Sequence, residues 1–64
     1  MKKTIISDSV YLRERNGKLK EPKVVLIKNT VVEFLDEFAE YNGLVRIKAK
    51  NGAEGWVQFS TLEE

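Results

Sequence analysis

The sequence predicts an all-β domain, and three observations carry that prediction. Two runs of alternating apolar and polar residues flank Asn51-Gly52 in VRIKAKNGAEGWV (Val45 to Val57), the strongest short-range hairpin signal a chain can hold. Other apolar residues fall in short runs at Thr4 to Ile6, Val10 to Leu12 and Val24 to Lys28, punctuated by Asn-Gly and Pro. Val31-Val32 and the aromatic run after it supply the β-branched and aromatic residues that strands favour.

In chain order, Thr4 to Ile6 and Val10 to Leu12 read as short strands. In the second, Val10 and Leu12 face inward while Tyr11 and Arg13 face outward. Arg13 to Glu21, RERNGKLKE, has a turn at Asn16-Gly17 and almost no apolar content, so it reads as a mobile basic loop. Pro22 sets the exit into a strand at Val24 to Lys28, whose unbroken Val-Val-Leu-Ile run predicts contact on both faces.

Two patterns compete over Asn29 to Gly43. Val31, Phe34, Leu35, Phe38 and Tyr41 recur at helical spacing, Thr30 and Glu33 match a capping box, and Gly43 suits a helix end. Against the helix stand Val31-Val32 and an alternation through Glu33 that stops at Asp36-Glu37. The expectation is a strand over residues 31–35 and a connecting loop from Asp36 to Gly43 with room for one helical turn. Gln58 to Leu62 is too short for a helix and lacks alternation, which predicts a 3₁₀ turn and a last short strand.

The register of the central hairpin follows from its faces. A bare two-residue turn at Asn51-Gly52 sets Ile47 opposite Trp56 and sends Val57 to solvent. A three-residue loop, Lys50 to Gly52 with Gly52 left-handed, pairs Val45 with Val57 and Ile47 with Gly55, gathering Val45, Ile47, Ala49 and Val57 on one apolar face. Because a one-residue slip reverses every side chain, the bulged loop is the expected one.

With 64 residues the chain forms one domain over 1–64 with a thin core, and it has no cysteine to staple it. Ser7, Asp8 and Ser9 interrupt the N-terminal apolar residues before a signal-peptide core can form, and no apolar run approaches the roughly 18 residues of a membrane helix. The chain therefore reads as soluble and cytoplasmic, and the absence of cysteine fits a reducing compartment. A net charge of +1 argues against a dedicated nucleic-acid binder. Residues 1–28 nevertheless hold eight Lys or Arg against three Asp or Glu, and residues 29–64 hold three against seven.

The residues speak against catalysis. Without His or Cys the commonest general base and the thiol nucleophile are missing, and no pattern calls for a cofactor or a metal. Asp36, Glu37 and Glu40 read as a solvated cluster rather than an acid–base pair or a cation site. Asn16-Gly17 and Asn51-Gly52 are turn formers rather than phosphate cradles, and Phe34, Phe38 and Phe59 are core or rim residues rather than a base-stacking platform.

Leu12-Arg13, Asn29-Thr30 leading into VVEFL, GLVRI at 43–47, and NGAEGWV followed by Leu62 together resemble a bacterial SH3 domain over nearly the whole chain, Gly55-Trp56-Val57 after a turn glycine being the most specific piece. The resemblance implies a small SH3-like barrel of five to six strands with a 3₁₀ turn near the C-terminus. It also implies a non-catalytic binding module. The chain departs from the family where a Trp commonly opens the third strand, here Leu44, and where a turn Gly is commonly found, here Asn29. Gln58 and Thr61 stand at the positions of the Pro and Tyr that complete the proline-peptide groove of eukaryotic SH3 domains, which argues against polyproline recognition.

Three functions follow as expectations. The first is a stand-alone cytoplasmic module docking on a partner protein with an acidic surface, phage and mobile-element accessories among its settings. The second is a cell-wall (peptidoglycan) binding domain of a larger hydrolase. The third is nucleic-acid binding through the basic loop 13–23. The expected binding surface comprises Tyr11, Arg13, Arg15, Lys18, Lys20 and Trp56, with Trp56 out of reach of the acidic cluster, since an exposed aromatic beside Arg offers large contact area at low entropy cost. The same residues also read as rim side chains that cap a barrel and keep it soluble. The oligomeric state, monomer or homodimer, is open.

Overall fold

The computed structural model describes residues 1–40 and 42–63. Its elements are β1 (Lys2–Ile5), β2 (Ser9–Tyr11), β3 (Val25–Ile27), β4 (Val31–Phe38), β5 (Leu44–Lys48), β6 (Glu54–Gln58), a 3₁₀ turn (Phe59–Thr61) and β7 (Leu62–Glu63). Five strands form one sheet in the order β6-β5-β4-β1-β7, while β2 and β3 pair as a separate ribbon. The fold is all-β with the expected 3₁₀ turn, but it is not a closed barrel. Among the described residues, strand bridging between ribbon and sheet is confined to Arg13 and Trp56, whose N–H groups each donate to the other's carbonyl at 2.9 Å. No helix among the described residues is long and apolar enough to cross a membrane.

The core lies between ribbon and sheet. Ile5, Leu12, Val32, Val45, Ile47 and Val57 are fully buried, with Val10, Leu26, Phe34, Ala49 and Leu62 around them. The hairpin adopts the bulged register: Val45 pairs with Val57, Arg46 with Trp56 and Ile47 with Gly55. Gly52 takes φ 92°, its N–H donates to the Ala49 carbonyl at 2.9 Å, and Asn51 Oδ1 accepts from the Ala53 N–H at 3.0 Å. Asn and Gly are needed there for different reasons, one as acceptor and one for its positive φ. Gly55 has a packing reason: a Cβ at that position would stand 2.9 Å from the Leu12 Cβ.

Two expectations are corrected here. β4 runs on to Phe38 instead of ending at Leu35, and the described part of Asn29 to Gly43 contains no helix; Tyr41 lies outside the described residues. Asp36, at φ 60°, absorbs a bulge between the Phe34–Ile47 and Phe38–Val45 pairs, so the strand continues through an acidic stretch that looked like its end. The turn that follows sits at Asn42 and Gly43, both at positive φ, and the Ala39 N–H donates to the Leu44 carbonyl across it.

The apolar run at 24–27 is contacted on one face only. Leu26 is buried and Val24 packs on the core, while Val25 and Ile27 are exposed. A two-stranded ribbon has nothing to cover its outer side. Loop 13–21 carries backbone hydrogen bonds: Glu14 N–H to the Lys18 carbonyl at 2.7 Å, Gly17 N–H to the Glu14 carbonyl at 2.9 Å, and Lys20 N–H to the Leu12 carbonyl at 3.1 Å.

The start of β1 is tied to β4 electrostatically. The Met1 ammonium lies 2.5 Å from Glu33 Oε2, and this hydrogen bond holds the Glu33 carboxyl below its ordinary pKa against a smaller opposing effect of desolvation, with the charges of Lys2 and Lys48 assisting. The sign is that of a depressed carboxylate: the contribution to stability is present above the unfolded-state pKa and is lost as pH falls through the folded-state value. An NMR titration of the Glu33 side chain is expected to show a midpoint below that of an unstructured Glu, returning toward it when the amine is acetylated. A midpoint unmoved by acetylation would refute the contact.

Packing yields a second prediction. Val57→Ala is expected to destabilise by about 1–3 kcal/mol through lost burial and an unfilled space. Gly55→Ala is expected to cost a similar amount, about 1–3 kcal/mol, by overpacking against Leu12. Urea unfolding followed by Trp56 fluorescence measures both, and unchanged midpoints would show a core looser than described.

Candidate binding site

The site begins with alternation along β2. Val10 and Leu12 point into the core, which leaves Tyr11 half-exposed and Arg13 exposed on the outer side. Arg13 cannot drift, because its backbone is bridged to Trp56 and its Nη1 donates to the Gly17 carbonyl at 2.8 Å. The turn beyond it is set by Gly17 at φ 94° and by Asn16 Oδ1, which accepts from the Lys18 N–H at 3.0 Å. Lys18 is thereby held on the same side as Arg13.

Facing these residues are the turn at Asn42 and the 3₁₀ segment, in which Thr61 Oγ1 donates to the Gln58 carbonyl at 2.6 Å. Between the two walls runs a groove of about 710 Å³ lined by Tyr11, Arg13, Lys18, Asn42, Gln58 and Thr61, with Leu44 and Val57 beneath. Among the described residues no Asp or Glu lines it. Of the described residues, two cations, the Tyr11 phenol ring and several amide and hydroxyl groups therefore face a space to which none of them brings a negative charge.

Arg15, Lys20 and Trp56 lie elsewhere. They line a smaller hollow of about 220 Å³ that shares Arg13 as a wall with the groove. The Arg15 guanidinium sits 5.3 Å from the centre of the Trp56 ring and 3.6 Å from Glu40, and Lys20 Nζ donates to the Glu54 carbonyl. Arg46 bridges Glu37, at 3.1 Å, and Glu54; hydrogen bonds to Glu54 first and Glu37 second raise its pKa above the ordinary value. In this hollow, positive charge is met from within.

The structure thus brings together Tyr11, Arg13 and Lys18 at the groove and gathers Arg15, Lys20 and Trp56 in the hollow on the other side of Arg13. The expectation that Trp56 lies out of reach of the acidic cluster is overturned: Glu37 lines the same hollow and Glu40 pairs with the arginine stacked on the indole. The reason is the length of β4, which carries Asp36 and Glu37 alongside β5 and leaves Glu40 just beyond its end. Among the described residues no three acidic, His or Cys side chains are grouped to hold a metal ion.

Two features escaped sequence reasoning. Asn42 enters the groove because it forms a left-handed turn with Gly43, and the Asn-Gly pair was a legible turn signal that the helical pattern masked. Phe34, Phe38 and Phe59 form a cluster with ring centres 5.8–6.1 Å apart, and Lys3 Nζ lies 5.2 Å from the Phe34 ring centre. Phe34 belongs to the core and the other two to the rim, as their types suggested, but no local pattern announces that Lys3 joins them.

Arg15→Ala is expected to uncover the indole. Acrylamide quenching of Trp56 should rise, while stability falls by no more than about 1 kcal/mol, the scale of an exposed cation–π contact. Glu40→Gln should reproduce part of the quenching change, since the carboxylate helps to hold the guanidinium. Quenching that is identical in all three proteins would show that Arg15 does not cover the ring.

The chain matches no protein-family model, and comparison with curated proteins and with solved structures returns no match. What the site can bind is decided by its own side chains.

Proposed function

We propose that the protein is a non-catalytic binding module whose groove takes an acidic segment of a partner protein. The observation that carries this reading is the groove itself: Arg13 and Lys18 face it together with Tyr11, and no carboxylate among the described residues lines it. Charge complementarity of this kind steers encounter and excludes wrongly charged partners, and a half-exposed Tyr supplies contact area. The resemblance to bacterial SH3 domains supports a binding role by analogy of fold. Among the described residues Tyr11 is the one aromatic that lines the groove, beside Leu44, Gln58 and Thr61, so a stack of prolines would find little to pack on.

The nucleic-acid alternative needs the cations of loop 13–23 available beside an aromatic platform. Arg15 and Lys20 are tied to Glu40 and Glu54, and Trp56 lies under Arg15. The cell-wall alternative has the family resemblance as its support and no feature of the groove.

The test is a titration of the labelled protein with a Glu-rich synthetic peptide and its Gln counterpart. Amide shifts are expected at Tyr11, Arg13, Lys18, Gln58 and Thr61 with the first peptide, weakening as salt is raised. Tyr11→Ala should cost about 1–2 kcal/mol of binding, and the double variant Arg13→Glu, Lys18→Glu should lower affinity by about tenfold or more. Equal binding of the two peptides, or undiminished binding by the double variant, would sink the proposal.

A further inference from the structure

The outer edge of β3 is open in a way that the backbone hydrogen bonds define. β2 is the one strand that β3 pairs with among the described residues. Leu12 N–H donates to the Val24 carbonyl at 3.0 Å and Lys28 N–H to the Asp8 carbonyl at 3.3 Å, and the ladder between them sets Val10 opposite Leu26. In an antiparallel ladder bonded and non-bonded pairs alternate, so Leu12–Val24, Val10–Leu26 and Asp8–Lys28 are the bonded pairs. The N–H and C=O groups of Val25 and Ile27 must then point away from β2. The Thr30 N–H takes the Ile27 carbonyl at 3.1 Å. What remains along the edge is Val25 N–H, Val25 C=O and Ile27 N–H, a row that an extended backbone can complete.

The side chains beside that row are apolar and uncovered. Val25 is 49% exposed and Ile27 63%, and Val25 sits directly opposite Tyr11 on the ribbon's outer face. Lys23 and Lys28 flank the strand, both exposed, and neither meets a carboxylate among the described residues. Edge lysines deter pairing with a second copy, because antiparallel β3–β3 contact would bring Lys23 and Lys28 of one chain close to those of the other. They favour an incoming strand of opposite charge.

We propose that the open edge of β3 accepts an extended, carboxylate-flanked segment of another protein as an additional β-strand, with the backbone row giving the pairing, Val25 and Ile27 the apolar contacts, and Lys23 and Lys28 the selection for acidic ends. This edge is distinct from the groove, and either can fail without the other.

The probe is a ten-residue synthetic peptide of alternating Val and Thr with two Glu at each end, compared with a Lys-ended version and with one N-methylated at every second residue. Amide hydrogen exchange and NMR shifts of the whole protein are the readouts. With the Glu-ended peptide, exchange at the Val25 and Ile27 amides is expected to slow by about tenfold or more. The Lys-ended peptide should bind about tenfold more weakly at low salt. N-methylation on the pairing side should abolish protection, a control that leaves the protein untouched. Ile27→Glu should also abolish it, whereas Arg13→Glu, Lys18→Glu should leave protection at Val25 and Ile27 in place. The proposal is overturned if these amides stay unprotected at about 1 mM peptide, or if protection appears with rising protein concentration alone together with a sedimenting dimer. Shifts confined to the groove and lost in the Arg13→Glu, Lys18→Glu variant would also overturn it, and would leave the groove reading standing.

Discussion

The seating of Leu12 against Gly55 is the contact on which the rest of the structure depends. Leu12 is fully buried, and its side chain occupies the space that any Cβ at position 55 would claim. One residue further, Arg13 and Trp56 exchange their backbone hydrogen bonds. A side chain at 55 would push the ribbon outward and break this bridge. The glycine thus does more than permit a strand: it sets how closely the ribbon approaches the sheet, and so how tightly the core between them closes.

That approach also creates both surfaces discussed above. Arg13 stands where ribbon meets sheet, with the groove on one side and the Trp56 hollow on the other. In so small a domain few side chains can be dedicated to burial, and even Lys3 is enlisted, 7% exposed with its amine over the Phe34 and Phe59 rings. Covering apolar surface with the stem of a lysine and offering its charge to aromatic faces is a way for a thin core to close without more apolar residues.

Legibility in the sequence tracked how local the cause was. The hairpin register could be read because Asn51, Gly52, Gly55 and Val57 lie within one turn of chain and each excludes the alternative slip. The in–out pattern of Val10, Tyr11, Leu12 and Arg13 could be read from period two. β4 beyond Leu35 could not, since its continuation depends on a bulge at Asp36 and on Arg46 across the sheet, neither of which marks the local pattern. The Val24–Ile27 run misled for a related reason: an apolar run says that a strand is available for burial on both faces, and only the topology decides whether a second layer exists to bury it. The placement of the candidate site residues was half legible. Tyr11, Arg13 and Lys18 converge at the groove, while Arg15 is drawn to Glu40 over Trp56 and Lys20 to the Glu54 carbonyl of β6.

This diversion decides what the protein's charge asymmetry can do. Counted along the chain, the basic first half and acidic second half suggest two opposite surfaces, or simple neutralisation on folding. The structure does neither uniformly. Arg15 and Arg46 are matched by Glu40, Glu37 and Glu54, Lys20 is held by a carbonyl, and the Met1 amine meets Glu33. Arg13 gives one donor to a carbonyl, and Lys18, Lys23 and Lys28 meet no carboxylate among the described residues. Ion pairs between exposed side chains stabilise a fold little, so the matched pairs do more by removing charge from the Trp56 hollow than by holding the chain together. Arg13 and Lys18 lie along the groove and Lys23 and Lys28 beside the β3 edge, so a net charge of +1 over the chain becomes a local excess of positive charge at these two places.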